Sequence, residues 1–199
     1  MKIKLKAILL ALVVTASVSS FAQTKTETGL SYNQFGAVYV SETLTISGKD
    51  STFSGFGSGG SVLVGGNILL SANTRSADGN IDGTKLTISQ TIIGVGARAG
   101  IGAQTDVYGY VSYVDAKVAA VGAAVSDNGY EFTAGIKTLI APGFTGSVFV
   151  GQSKLSKFDS STSFGAGLDF NVAPNVSMGG SYVSGKDTRQ FNATVAYLF

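Results

Sequence analysis

Arg189-Gln-Phe-Asn-Ala-Thr-Val-Ala-Tyr-Leu-Phe199 closes the chain, and its alternation decides the fold. Every second residue from the end is apolar: Phe199, Tyr197, Val195, Ala193 and Phe191. The intervening positions are Ala196, Thr194, Asn192 and Gln190, with Leu198 the exception. A period of two, with one apolar and one mostly polar face, predicts a β-strand. The stretch is long enough to cross a bilayer at a tilt.

The opposite end points the same way. Lys2, Lys4 and Lys6 precede an apolar run from Ala7 to Val14, and Ser20-Phe21-Ala22 precedes Gln23. A basic start, a short apolar run and small residues at the cleavage site predict a secretory signal peptide over 1–22. The competing reading, a membrane anchor, needs an apolar run of about 20 residues. The mature chain is then a single domain over 23–199. Removing three signal lysines takes the formal net charge from +2 to −1. Such a chain has no basic stripe for nucleic acid. Cys and His are absent, so neither disulfides nor thiolate sites are available. Charged residues are 13% of the chain, about half the share of an ordinary soluble domain.

After the signal no helical period is sustained. Ten alternating runs are expected, near 30–41, 54–64, 67–77, 88–100, 106–116, 129–140, 144–154, 162–171, 175–184 and 189–199. The connectors alternate between tight turns and longer polar segments. The tight ones are Gly65-Gly66-Asn67, Gly102-Ala103-Gln104-Thr105, Ala141-Pro142-Gly143 and Ala173-Pro174-Asn175. The longer ones run 42–53, 78–85, 117–128 and 155–161, with a short one at 185–188. This is the pattern of a closed antiparallel transmembrane barrel of ten strands, with eight as the alternative count. Both termini then lie on the side of the tight turns, the periplasm. Strand one mixes polar and apolar residues on both faces, which predicts a bulge or shift near Gly36.

Three runs look like successive upward strands: Val107-Tyr-Gly-Tyr-Val-Ser-Tyr-Val114, Thr145-Gly-Ser-Val-Phe-Val-Gly151 and Val176-Ser-Met-Gly-Gly-Ser-Tyr-Val183. Gly57-Ser-Gly-Gly60, Gly94-Val-Gly96 and Gly165-Ala-Gly167 look like downward counterparts. With the signal peptide and the terminal Tyr197-Leu198-Phe199, these runs resemble outer-membrane β-barrel proteins related to the OmpA transmembrane domain. The likeness covers essentially 23–199. It implies a Gram-negative outer membrane and contact with its lipid and lipopolysaccharide. It also implies that Phe191, Ala193, Val195, Tyr197 and Phe199 are read by the barrel assembly machinery. Ten strands depart from the eight of OmpA. OmpA's peptidoglycan-binding domain has no counterpart, so no such anchoring is implied.

Charge tests the face assignment, because a lipid-facing Lys or Arg near the midplane costs about 2–4 kcal/mol. Arg75, Arg98, Glu131, Lys137 and Asp169 each fall on the face with small residues, such as Gly94 and Gly96 beside Arg98. We expect a lower lumen cluster of Asp169 with Arg98 and Lys137, and an upper pair of Glu131 with Arg75. Such charges serve either as a structural network or as a selectivity filter.

Chemistry finds little to work with. Gly94-Val-Gly96-Ala97-Arg98-Ala99 matches a dinucleotide pattern, but no helix follows to hold a pyrophosphate. Acid–base catalysis would have to use carboxylates. Those are scattered in expected loops as Asp78, Asp82, Asp115, Asp127, Asp159 and Asp187. Asp78-Gly-Asn-Ile-Asp82-Gly lacks the spacing of a calcium loop. No enzyme, cofactor or metal site is therefore expected. Aromatic girdles are expected at both interfaces: Tyr32, Phe144, Phe170, Tyr197 and Phe199 on the terminal side, and Tyr39, Phe53, Tyr113, Tyr130, Tyr182 and Phe191 on the other. A structural or surface-interaction barrel, a narrow passive channel and a soluble secreted β-protein are the three readings open. The two-faced terminal strand speaks against the last.

Overall fold

The computed structural model describes residues 26–46, 48–156 and 160–199. The expected signal peptide, 1–22, and Asp159 lie outside them. The alternation of the C-terminal stretch recurs in every strand: β1 (Gln34–Ile46), β2 (Lys49–Val64), β3 (Ile68–Ile81), β4 (Thr84–Gly100), β5 (Thr105–Ala120), β6 (Ala123–Ala141), β7 (Phe144–Leu155), β8 (Ser161–Ala173), β9 (Val176–Gly185) and β10 (Thr188–Leu198). Each pairs antiparallel with the next, and β10 returns to β1, so the sheet closes into a barrel without edges over the shared length. The strand count agrees with the expectation.

The strands differ from it in length. β2 to β6 run 14 to 19 residues, whereas β7 to β10 run 10 to 13. Three segments expected to be loops are ladders instead, pairing through to Ile46↔Lys49, Ile81↔Thr84 and Ala120↔Ala123. The second and third end in two-residue turns. At one of them Asp82 and Gly83 both take positive φ, 48° and 78°, the twist that matches a tight hairpin. We call this the hairpin end, and the end carrying the tight turns and the C-terminus the terminal end.

Polarity explains both the extra length and the confusion in strand one. Along the lower part of the barrel, outward residues are apolar: Phe35, Val95, Val111, Phe132, Val148 and Phe164 are all exposed. Toward the hairpin end the outward face becomes polar. Thr43 and Thr52 hydroxyls lie 3.2 Å apart, Ser76 and Ser89 3.2 Å, and Thr87 Oγ1 donates to Asp78 Oδ1 at 2.6 Å. The inward face there turns apolar, with Leu44, Phe53, Ala77, Ile81, Leu86, Ile88, Ala116, Val118 and Leu155 in one buried cluster. β1 crosses this inversion, so both its faces look mixed. Its register is unbroken from Gln34↔Leu198 to Leu44↔Thr188, and the bulge expected near Gly36 is not there. Register shifts occur instead at Leu139/Ala141 and Asn171/Ala173. Both precede a proline turn, where the ladder loses a donor.

Residues 30–33, expected to open the first strand, are not in the sheet. They belong to a segment, 26–33, that crosses the barrel at its terminal end. Tyr32 is thus buried in the lumen rather than at the membrane rim, and Phe53 is buried in the apolar cluster rather than in the other girdle. Tyr39, Tyr113, Tyr130, Tyr182, Phe191, Phe170, Tyr197 and Phe199 do face outward.

Candidate functional site: the layered lumen

The lumen is built in three layers. The apolar cluster forms a cap at the hairpin end. Below it lies a polar layer, and below that a floor made with the 26–33 segment.

In the polar layer Arg75 is the organising group. It reaches over β2, whose inward residues at this level are Gly55, Gly57 and Gly59. A Cβ on Gly57 would strike the Arg75 side chain and the Thr74 carbonyl. Across this bare strip Arg75 Nη1 meets Glu42 Oε2 at 3.2 Å. Its Nη1 also donates to Gln190 Oε1 at 2.8 Å, and its Nε to Gln90 Oε1 at 2.9 Å. Gln190 Nε2 donates to Asn192 Oδ1, and Asn192 Nδ2 to Ser181 Oγ at 3.0 Å. A buried cation is thereby matched by one carboxylate and two amide carbonyls, which offsets its desolvation.

Glu131, expected beside Arg75, accepts from Thr133 Oγ1 at 3.0 Å. Its Oε2 has no hydrogen-bond donor among the described residues. Its ladder neighbours are Ser112 on β5 and Ser153 on β7. The carboxylate that meets Arg75 directly is Glu42, and Glu131 is an electrostatic partner without a direct ion pair. Glu42 looked like the start of a loop, although it shares parity with Val38 and Val40.

On the floor, Asp106 gathers the contacts. Arg98 Nη1 lies 3.0 Å from its Oδ2, with both side chains buried. Thr28 Oγ1 donates to Oδ1 at 2.8 Å and Tyr32 OH to Oδ2 at 2.9 Å. Lys137 Nζ donates to the Ser31 carbonyl at 3.1 Å and sits 5.0 Å from the Tyr32 ring centroid. Asp106 and Asp169 are its electrostatic partners. Asp106 stands at the expected boundary of its strand, where alternation alone does not mark it as a lumen residue. Its parity with Tyr108 and Ser112 was the available signal. Around these charges, Leu30 and Tyr32 pack with Leu69, Tyr108, Phe149 and Val183.

Glycines make room for the large inward groups. A Cβ on Gly135 would strike the Tyr108 ring, one on Gly165 the Phe149 ring, and one on Gly96 the Tyr110 ring. The Gly-x-Gly runs therefore serve close packing on the neighbouring strand, and β4 continues past Gly94 and Gly96 with no helix to bind a dinucleotide. Among the described residues no three acidic, His or Cys side chains converge as metal ligands.

On the outer surface, Phe191, Ala193, Val195, Tyr197 and Phe199 share the outward face of the C-terminal stretch. Four of them lie beside β1, as Phe35↔Tyr197, Ala37↔Val195, Tyr39↔Ala193 and Ser41↔Phe191. Near the hairpin end, Tyr113 and Tyr130 meet edge to face at 6.1 Å between centroids, and Lys154 pairs with Tyr130.

No protein-family model matches this chain, and no curated protein matches it in sequence. Solved structures do match in fold. The translocator domain of the autotransporter NalP from Neisseria meningitidis is 11% identical, with a TM-score of 0.51 over 84% of this chain and 88% of that one. The transport unit of the autotransporter AIDA-I from Escherichia coli is 11% identical, with a TM-score of 0.50 over 98% of each chain. An outer-membrane channel from Pseudomonas putida F1 is 7% identical, with a TM-score of 0.50 over 92% of this chain and all of that one. The fold is that of outer-membrane β-barrels.

Proposed function

We propose that this protein is a closed, non-enzymatic barrel of a Gram-negative outer membrane, with a structural or surface-interaction role. The observation that carries this reading is the apolar cap. A lumen crossed by Leu44, Phe53, Ile81, Leu86, Ile88 and Val118 offers an ion no polar path. We place the termini on the periplasmic side and the polar hairpin end outside, because the strands there extend beyond the apolar belt with polar outward faces, as the outer ends of such barrels do. In this orientation Tyr113 and Tyr130 sit at the outer interface. Lys154 and Lys117, both exposed, lie at headgroup level to meet lipopolysaccharide phosphates. The outward face of 191–199 is the surface offered to the assembly machinery. A narrow passive channel is the competing reading.

Topology and closure can be tested together. Val121, 91% exposed at a hairpin tip, is mutated to Cys in this cysteine-free chain. An impermeant maleimide added to intact cells should label it, and proteoliposomes of the protein should show no sugar-driven swelling. Labelling only after lysis would reverse the orientation, and swelling would favour the channel.

A further inference from the structure

The segment 26–33 is bound differently from the barrel wall. Within the barrel wall, each strand is held by rows of backbone bonds to both neighbours, interrupted only at the two register shifts before the proline turns. The segment instead rests on a few side-chain bonds and a short patch of packing. A turn closes at its start, where Gly29 N donates to Thr26 O and Thr26 N to Leu30 O. Its far side is tied where Leu63 N donates to Asn33 Oδ1 and Phe199 N to Asn33 O, next to β1. Between these points it spans the lumen. Thr28 comes beside Gly100 of β4, and Gly29 beside Leu139 of β6. Its bonds to the wall are the Thr28 and Tyr32 hydroxyls on Asp106, Ser61 Oγ on the Tyr32 carbonyl, and Lys137 on the Ser31 carbonyl.

Asp106 does not need the segment for its charge balance, because Arg98 pairs with it from the adjacent strand. If the segment leaves, the wall keeps a complete ion pair and gains solvent. Above it lies the polar layer, where Glu131 and Gln90 each carry a buried polar atom with no hydrogen-bond partner among the described residues. Solvent entering from below would satisfy these atoms. Above that layer, the apolar cap stays in place.

We infer that residues 26–33 form a releasable strap latched on Asp106, and that its release opens the polar layer to the terminal end alone. The barrel is then a chamber with one door, not a pore. The inference rests on the cap being a permanent closure, and the two parts are read by different signals.

The test uses the refolded mature protein in lipid vesicles with a single cysteine in the polar layer, Ser112→Cys. Adding Thr28→Val and Tyr32→Phe removes both strap donors and leaves the Arg98–Asp106 pair intact. Reaction with a polar maleimide should be at least about tenfold faster in the strap variant, the loss of one or two hydrogen bonds to a charged group. A Val121→Cys control should react equally in both backgrounds. Equal Ser112→Cys rates in the two backgrounds would overturn the strap. Should the variant fail to fold, amide exchange on the unmodified chain decides: residues 29–31 should exchange at least about tenfold faster than 107–112 of β5. Equal protection would overturn it. Ion conductance appearing on strap release would overturn the cap instead.

Discussion

The belt near the terminal end and the crown at the hairpin end are made by the same strands and obey opposite rules. On β4, Val95 faces outward in the belt and Arg98 inward. Ten residues earlier on the same strand, Lys85 faces outward and Leu86 inward. The belt has the polarity of a chain surrounded by lipid, and the crown that of a chain surrounded by water. The strand does not change its geometry between them, because the period of two is indifferent to which face is apolar. What changes is the solvent, and the inversion marks where one solvent gives way to the other.

Mutations that ignore the inversion should break the comparison. Phe53→Ala removes the largest fully buried side chain of the cap. It should cost about 3–5 kcal/mol, as in a soluble core. Its urea unfolding midpoint in vesicles should fall accordingly, and a value near zero would mean that the crown is not a packed core. Val95→Arg puts a charge on the lipid face and should cost about 2–4 kcal/mol. Thr43→Arg has the same outward parity in the crown and should change stability by less than about 0.5 kcal/mol. Equal effects at the two sites would erase the boundary. Gly83→Ala should cost about 1–2 kcal/mol through its positive φ alone, since no atom crowds the added Cβ. A smaller loss would show that the hairpin tip relaxes freely.

The same inversion accounts for what could be read in the sequence. Belt segments such as 191–199, 162–171 and 106–116 announced themselves, because lipid-facing residues must be apolar without interruption. Crown segments such as Thr43 to Thr52 did not. Their outward Thr, Ser, Asp and Lys residues resemble a solvated loop, and in the first hairpin only the inward Leu44, Ile46 and Phe53 mark the strands. The lumen charges were placed on the correct face by parity, but parity does not say which strands face each other across the barrel. Arg75 meets Glu42 by passing over the glycines of β2, and it meets Gln190 of β10 only because the barrel closes. Nor does alternation distinguish a residue of the wall from one beside it. Leu30 and Tyr32 alternate like a strand, yet they lie inside the barrel as a strap.

Single-channel recording of refolded residues 23–199 in a planar bilayer, with folding confirmed by β-sheet circular dichroism, tests the closed lumen most directly. A cap of buried Leu, Ile, Val and Phe requires a silent bilayer at every applied voltage below rupture. Stable, reproducible openings from the unmodified barrel would contradict it and return the polar layer around Arg75 and Glu131 to the role of a conducting path.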